Sequence, residues 1–280
     1  MNQIAFRQPS AGVTSDSTGD RLDWLMRAIT ANRFLPEPEP GRIFVGDGDF
    51  RAIGAEYLGH LVRLGGLMPE HRVLDIGSGI GRIAVPLTQY LSPSATYLGL
   101  DPAREGIDWC QAAITPVYPS FRFRHLDVAH EIYNPGGLKR GETLVLPVGD
   151  RSMDFAFMVS VVTHLPPQHV AVYMREVARV LAPGGRFLVT SFIMDETARA
   201  PSAATGKDPR RGFQRTASGP DWHADPDAPF GAVAFDDGWL EAGLEEAGLK
   251  VELRSLGHWR GVPSSHYQDV IVAAKPGGGG

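Results

Sequence analysis

The strongest chemical signal in the chain is a glycine-rich segment at residues 73–82, which reads VLDIGSGIGR. An apolar run that contains Asp75 leads directly into four small residues, Gly77, Ser78, Gly79 and Gly81. Glycines in such a turn let the backbone approach a ligand closely and bend into a following helix. The segment therefore predicts a ligand-binding turn with one carboxylate, that of Asp75, immediately before it.

Two classes of ligand compete for this turn. A dinucleotide requires the pattern Gly-x-Gly-x-x-Gly or Ala, but the third position counted from Gly77 is Arg82. A carboxylate beside the turn repels a pyrophosphate and attracts an ammonium or a sulfonium group. S-adenosylmethionine carries both of these cations, together with a ribose and an adenine, so the residues favour it over a nicotinamide dinucleotide.

Alternating strands and helices must position this turn. Strands are predicted at residues 72–76, 96–100, 121–125, 154–159, 186–191, 249–256 and 269–274, and helices at 83–91, 107–114, 166–181 and 239–247. This alternation predicts an α/β fold with a doubly wound, mostly parallel seven-stranded sheet that helices cover on both faces. In such a sheet, ligands bind at the carboxyl ends of the strands.

With these features the chain resembles the class I S-adenosylmethionine-dependent methyltransferases, which share a Rossmann-like fold. The resemblance extends over residues 70–192 and, more loosely, over 236–275. It implies that Asp75 and the glycine turn hold the methionine part of the cofactor. It also implies that Asp101, at the end of the second strand, accepts the hydroxyls of the ribose, as one carboxylate can.

The resemblance further implies that Asp127, after the third strand, accepts the amino group of adenine beside the backbone of Val128. Ser160, just past the fourth strand, lies where the family brings its backbone near the methionine part. The implied cofactor-binding residues are Asp75, Gly77, Ser78, Gly79, Gly81, Asp101, Pro102, Asp127, Val128 and Ser160.

The remaining segments are predicted to extend and cover this core, which spans residues 50–194. Residues 1–49 form an N-terminal extension with a helix, and its last part is either a flap over the cofactor or a lead-in to the next helix, capped by Asp49. Residues 195–235 interrupt the alternation and are predicted to form a lid inserted after the fifth strand. Residues 236–275 complete the core, and 276–280 form a flexible tail.

Methyl transfer from a sulfonium is an in-line displacement that depends on alignment and exclusion of water. A hydroxyl acceptor also needs a base. His164, just beyond the fourth strand, is the first candidate, because the unperturbed pKa of histidine suits a base at neutral pH; the alternative is that it only packs its loop. His223 in the predicted lid is the second candidate.

Three further residues are predicted to contact the acceptor: Tyr133, Trp222 and Arg211. Tyr133 precedes an Asn-Pro-Gly-Gly run, so the alternative is a simple turn. Arg211 belongs to a basic group in the predicted lid that could meet an acidic acceptor. The alternative is a solvated surface in which neighbouring aspartates neutralise this charge.

Composition excludes several other classes of function. The formal net charge of −5 argues against a general nucleic-acid-binding surface. The single cysteine, Cys110, excludes an intrachain disulfide framework and a multi-cysteine zinc site, and the histidines lack metal-ligand spacing, so no metal is predicted. No apolar run approaches the roughly 20 residues that span a bilayer, and the first residues do not resemble a secretory signal. A cytoplasmic protein is therefore expected.

The predicted function is methyl transfer from S-adenosylmethionine to a small molecule, such as a sugar or a secondary metabolite. His164 favours oxygen as the methylated atom. Transfer to nitrogen or carbon on the same fold stays open, although the Asp/Asn-Pro-Pro-Tyr/Phe motif of one N-methyltransferase group is absent after the fourth strand. A nicotinamide-dependent dehydrogenase and a non-catalytic cofactor-binding subunit stay open as well. No nucleic-acid or membrane partner is expected, and a homodimer is left open.

Overall fold

The computed structural model describes residues 17–44, 46, 48–199 and 212–277, and these ranges contain the strands named below. Numbered in chain order, they are β1 (Arg72–Ile76), β2 (Thr96–Asp101), β3 (Phe121–His125), β4 (Met153–Met158), β5 (Leu181–Ser191), β6 (Ile193–Met194), β7 (Gln214–Arg215), β8 (Asp221–His223), β9 (Val233–Asp236), β10 (Lys250–Ser255) and β11 (Asp269–Ala274).

Seven of these described strands form the main sheet in the order β10-β11-β5-β4-β1-β2-β3. Every neighbouring pair from β5 to β3 is parallel, whereas β11 runs antiparallel to both β5 and β10. The predicted mostly parallel seven-stranded sheet is therefore confirmed. The carboxyl ends of β1 to β5 meet at one edge of the sheet, where the glycine turn leaves β1.

Burial along the strands explains this order. β1 and β4 lie at the centre and are buried over almost their whole length, as strands with both faces covered must be. At the edge of the sheet, β3 alternates between buried and exposed residues. Its sequence Phe-Arg-Phe-Arg-His accordingly puts the aromatic rings inside and the arginines in solvent.

Helices cover both faces of the sheet. Within the described residues they are α1 (Ser17–Ala31), α2 (Phe50–Arg63), α3 (Ala84–Leu87), α4 (Arg104–Ala113), α5 (Pro167–Val180), α6 (Glu196–Arg199) and α7 (Trp239–Glu246). One apolar core lies between the sheet and α5 with α7, and a second lies between the opposite face and α1 to α4. This is the doubly wound arrangement that the alternating pattern predicts.

One helix is shorter than its pattern predicts. The segment 83–91 is predicted as helix, but regular helix is confined to α3, Ala84–Leu87. Pro86 lies inside the segment and removes one backbone donor. The chain continues to Leu91 through single hydrogen-bonded turns, including one from the Leu91 N–H to the Leu87 carbonyl oxygen at 2.9 Å.

The insertion after β5 carries a small sheet of its own. In the described residues its order is β6-β9-β8-β7, with β6 and β9 parallel and the other pairs antiparallel. A third apolar cluster fills the space beside this sheet: Phe192, Met194, Ala198, Phe213, Ala234 and Trp259. Residues 200–211 of the insertion, 1–16 of the N-terminal extension and 278–280 of the tail lie outside the described residues. None of the helices in the described ranges is both long enough and apolar enough to cross a membrane.

Candidate active site

A cavity of about 610 Å³ lies at the carboxyl edge of the main sheet. Its walls include the residues that directly follow β1, β2, β3 and β4, together with parts of α2, the insertion and the approach to β11. Predicted cofactor residues that line it are Asp75, Gly77, Ser78, Gly79, Asp101, Pro102, Val128 and Ser160. The topology thus brings residues from four separate strand ends to one ligand-sized space.

The glycine turn has the backbone conformation that its sequence requires. Gly77, Gly79 and Gly81 have φ values of +88°, +52° and +79°, which side chains other than hydrogen rarely tolerate. A Cβ atom on Gly77 would lie 2.2 Å from Cγ2 of Val161, so only glycine fits there. Glycine is thus required at this turn for both conformation and space.

Gly81 packs the end of the glycine turn against α4. It does not line the cavity, and a Cβ atom on it would lie 2.9 Å from Sγ of Cys110 in α4. Its small size therefore permits close packing of the turn against α4. Direct contact between Gly81 and a ligand stays a prediction.

Asp75 is a buried carboxyl group, with 2% of its surface exposed. Burial raises its pKa to about 8, the charge of Asp101 acts in the same direction, and a hydrogen bond from the Tyr97 hydroxyl opposes both. A positive charge beside this group would stabilise its ionised form. The sequence does not indicate Tyr97 as a site residue. In the pattern of β2 it is one more buried side chain, and nothing there shows that its hydroxyl contacts a carboxyl group.

Asp101 joins the ends of β1 and β2. One carboxylate oxygen accepts the Gly79 N–H at 2.6 Å, and the other accepts the Ala103 N–H at 2.7 Å. Burial raises the pKa of Asp101 to about 6. Each carboxylate oxygen has a second lone pair, so the group can still accept a hydroxyl of a ligand.

Asp127 is placed differently from Asp75 and Asp101. It does not line the cavity. Its Oδ1 accepts the Asn134 side-chain amide at 3.2 Å and lies 3.4 Å from the Leu138 backbone nitrogen, which closes the loop after β3. Its neighbour Val128 does line the cavity. The adenine contact assigned to Asp127 stays a prediction.

Ser160 lies in a strained turn at the end of β4, with a φ of +57°. Its N–H donates to Oγ1 of Thr190 at 2.8 Å, and its hydroxyl donates to Oε1 of Gln268 at 3.0 Å. Thr190 Oγ1 donates to the same Oε1 at 2.5 Å. These three bonds hold the backbone of Ser160 at the cavity wall.

Gln268 is a cavity residue that sequence reasoning missed. Because its oxygen accepts two hydroxyls, its amide nitrogen is the atom left for a ligand, and this nitrogen has no protein partner within the described ranges. The sequence gives only a weak indication of this role, because Gln268 is simply a polar residue directly before the apolar strand β11.

His164 and Tyr133 both line the cavity. The His164 Nδ1 lies 2.9 Å from the Phe230 carbonyl oxygen, and the His164 ring meets the Tyr133 ring edge-on at 5.9 Å. His130, next to both, has its Nε2 3.0 Å from the His164 carbonyl oxygen. Burial lowers the pKa of both histidines, so each is neutral near pH 7.

Two of the other predicted site residues, His223 and Trp222, are engaged within the small sheet. His223 Nε2 is 2.7 Å from Asp221 Oδ2 within β8, and the Trp222 Nε1–H donates to Asp236 at 2.9 Å. Neither residue lines the cavity, because both side chains are engaged inside the small sheet. Arg211 lies outside the described residues. The roles assigned to these three residues stay predictions.

Arg82, which breaks the dinucleotide pattern, connects the turn to the N-terminal extension. Its guanidinium lies over the Phe50 ring at 5.8 Å and donates to the Gly46 carbonyl oxygen at 2.9 Å. Gly46 and Phe44, both in the N-terminal extension, line the cavity together with Arg82. Asp49 meanwhile accepts the Ala52 N–H at 2.7 Å and caps α2, so this segment both borders the cavity and leads into a capped helix.

The sheet order divides the cavity into two halves. The ends of β1, β2 and β3 bring the acidic residues and the glycine turn to one half. The ends of β4 and β5 and the start of β11 bound the other half. Its walls are mainly aromatic and apolar, and their polar groups include Ser160, Thr163, His164 and Gln268. Residues of this second half are Leu165, Tyr173, Phe192, Ala232 and Tyr267.

Comparison with known proteins agrees with this geometry. Residues 74–189 match a family described as "Methyltransferase domain". A fatty-acid O-methyltransferase of Mycolicibacterium smegmatis is 38% identical over 121 residues, which are 42% of this chain and 36% of the relative. A sterol 24-C-methyltransferase of Gibberella zeae is 26% identical over 157 residues, which are 55% of this chain and 36% of the relative. The chain thus spans 36% of the length of each of these two relatives.

Among solved structures, an S-adenosylmethionine-dependent methyltransferase of Methanosarcina mazei superimposes with a TM-score of 0.51 at 20% identity. The superposition covers 77% of this chain and 97% of that structure. At this level of identity the likeness demonstrates a shared fold.

Proposed function

We propose that this protein transfers the methyl group of S-adenosylmethionine to an oxygen atom of a small apolar molecule; the match of residues 74–189 to a methyltransferase domain supports this proposal. The observation that carries the proposal is the convergence of two buried carboxyl groups, Asp75 and Asp101, with the glycine turn on one cavity.

The residues of the first half fit the cofactor. Asp75 attracts the ammonium group, and Asp101 accepts the ribose hydroxyls. Ser78 gives an independent indication, because its buried Oγ lacks a hydrogen-bond partner among the described residues. A buried hydroxyl without a partner is costly, and a polar ligand in this half of the cavity would supply one. The bound cofactor contributes an activated methyl group on a sulfonium.

The second half of the cavity supports oxygen as the methylated atom. His164 is neutral because burial lowers its pKa, so one ring nitrogen can take the proton of a hydroxyl as that oxygen reacts. The aromatic and apolar walls favour an acceptor with a hydrocarbon body and exclude water from the reacting atoms. The relative named as a fatty-acid O-methyltransferase supports an acceptor with a hydrocarbon body that is methylated at oxygen.

The test is methyl transfer from isotopically labelled S-adenosylmethionine to a panel of long-chain hydroxy compounds, sterols, sugars and amines. We expect S-adenosylhomocysteine to form with hydroxylated apolar compounds, and mass spectrometry to locate the label on oxygen. Label on carbon or nitrogen would reject the choice of oxygen. Calorimetric binding of NAD without binding of S-adenosylhomocysteine would reject the whole class.

His164→Ala tests the base directly. Turnover of a hydroxyl acceptor should fall about 100-fold or more, since general base catalysis typically contributes 10²–10⁴. The affinity for S-adenosylhomocysteine should hold. His71→Gln is the matched control, because His71 precedes β1 at the opposite edge of the sheet. A loss of turnover below about tenfold in His164→Ala would exclude it as the base.

A further inference from the structure

The loop that joins β8 to β9 borders the active site: Gly231 lines the cavity, and the Phe230 carbonyl oxygen contacts a cavity residue. The two strands pair up to Ala224 and Ala232, where the Ala224 N–H donates to the Ala232 carbonyl oxygen at 3.1 Å. The seven residues between them, 225–231, form a loop with internal turns, including one from the Gly231 N–H to the Ala228 carbonyl oxygen at 2.9 Å. We call residues 225–231 the hairpin loop. Its Phe230 carbonyl oxygen lies 2.9 Å from Nδ1 of His164.

This contact determines which ring nitrogen of His164 holds the proton. A carbonyl oxygen only accepts hydrogen bonds, so Nδ1 must be the donor. In the neutral ring, Nε2 then carries a lone pair. Nε2 has no hydrogen-bond partner in the described part of the chain, and His164 lines the cavity.

The neighbouring His130 is held in the opposite form. Its Nε2 faces the His164 carbonyl oxygen at 3.0 Å, so Nε2 is the donor. Its Nδ1 accepts the Ile132 N–H at 3.2 Å. Both nitrogens of His130 are thus used inside the protein, whereas His164 keeps one nitrogen for the cavity.

We propose that the hairpin loop is a positioning element that holds His164 as the Nδ1–H tautomer, with Nε2 unprotonated and available to the acceptor. The role of Nε2 in catalysis rests on the proposed function; the tautomer itself does not. In the reaction, Nε2 takes the hydroxyl proton while the oxygen forms its bond to the methyl carbon. The carbon–sulfur bond breaks, its electron pair stays on sulfur, and the imidazolium that remains still donates through Nδ1 to Phe230, a bond strengthened by the charge.

The tautomer can be measured without knowing the acceptor. Long-range ¹H–¹⁵N correlation spectra of the full-length protein, labelled with ¹⁵N-histidine, distinguish the two neutral forms and the imidazolium at about pH 7.5. We expect the His164 ring, identified by loss of its signals in His164→Gln, to be protonated at Nδ1 alone. The His130 ring, identified through His130→Gln, should be protonated at Nε2 alone and serves as the internal standard. A His164 ring protonated at Nε2, or an average of both forms, would overturn the proposal.

A replacement of the hairpin loop tests whether this loop determines the tautomer of His164. Because Ala224 and Ala232 already pair, residues 225–231 can be replaced by Asn-Gly, which closes a two-residue hairpin. We expect His164 to lose the pure Nδ1–H form and turnover to fall at least tenfold, with unchanged affinity for S-adenosylhomocysteine. Phe230→Leu is the matched control: it keeps the carbonyl oxygen and should keep the tautomer.

The outcomes separate the two proposals. A pure Nδ1–H form that persists in the loop replacement would reject the hairpin loop as the positioning element. If the replacement does not fold, the wild-type spectrum still decides whether His164 holds the expected tautomer. The expected spectrum without methyl transfer to any hydroxyl acceptor would reject the proposed function and leave the assignment of the tautomer intact.

Discussion

At the scale of single residues, Asp75 is a carboxyl group whose protonation depends on what lies beside it. Burial raises its pKa to about 8, and the charge of Asp101 adds to this effect. Without a cation nearby, Asp75 is therefore mostly protonated at pH 7. An ammonium group in the cavity would favour the ionised form and lower this pKa.

Binding of S-adenosylhomocysteine at pH 7 should consequently release close to one proton from Asp75. The pKa of Asp75 is high in the free protein and low in the complex, so the affinity increases as the pH rises from 7 towards 8. At higher pH the affinity falls again, because the α-amino group of the ligand loses the proton that Asp75 pairs with. Calorimetry in two buffers with different ionisation enthalpies measures the number of protons released. At pH 7 the α-amino group of the ligand already carries its own proton.

Asp75→Asn is the control, and it should remove most of the proton release. Tyr97→Phe changes the pKa of Asp75 without removing its carboxyl group, because the Tyr97 hydroxyl lowers this pKa. In this variant the pKa of Asp75 rises further, so the affinity at pH 7 should fall more than the affinity at higher pH. Equal binding enthalpies in both buffers for the wild type would contradict this account.

At the scale of elements, Asp269 ties the start of β11 to the base of the insertion. Its two oxygens accept the Ile193 and Gly257 backbone N–H groups at 2.8 and 2.7 Å and the Trp259 indole at 2.8 Å. They also accept the Arg260 guanidinium at 2.6 Å, and both side chains of this ion pair are fully buried. Asp195, at the end of β6, pairs with the same guanidinium at 2.5 Å.

Asp269→Asn should lower the free energy of unfolding by about 3 kcal/mol, because removing one partner leaves a buried charge without full compensation. Urea denaturation followed by circular dichroism measures this loss. Asp23→Asn is the matched control. It breaks a half-exposed pair with Arg63, and such pairs contribute about 0–1 kcal/mol. Similar losses in the two variants would show that the buried cluster does not anchor the insertion.

At the scale of the whole molecule, the cavity draws on residues from Phe44 to Gln268. The N-terminal extension, the glycine turn, the ends of four strands, the insertion and the approach to β11 all contribute to its walls. A ligand in this space contacts parts of the chain that are distant in sequence. Binding should therefore stabilise the folded protein as a unit.

S-adenosylhomocysteine at about 100 times its dissociation constant should stabilise the native state by about 2.7 kcal/mol. For a chain of 280 residues, that corresponds to a rise in Tm of about 5 °C. Differential scanning calorimetry measures the shift. Asp101→Asn should abolish most of it at the same ligand concentration, because a hydrogen bond to a charged group contributes about 1.5–3 kcal/mol.

Asp108→Asn is the control for this shift, since Asp108 is an exposed residue on α4 and lies outside the cavity walls. It should keep the full rise in Tm. If Asp101→Asn kept the full rise as well, the carboxylate would not contact the ligand.

The sequence alone predicts the parallel sheet, the glycine turn, and the placement of Asp75 and Asp101 at neighbouring strand ends. These features depend on local rules. The period of apolar residues, the conformational freedom of glycine and the shared edge of parallel strands are all encoded within short stretches of chain.

Only the tertiary structure decides which side chains meet. The Phe230 carbonyl reaches His164 across 66 positions of sequence, and Gln268 reaches Ser160 across 108. His223 is instead paired with Asp221, two positions away. No local pattern distinguishes these outcomes, because each depends on how separately folded elements pack and on which buried polar atoms they leave to be satisfied.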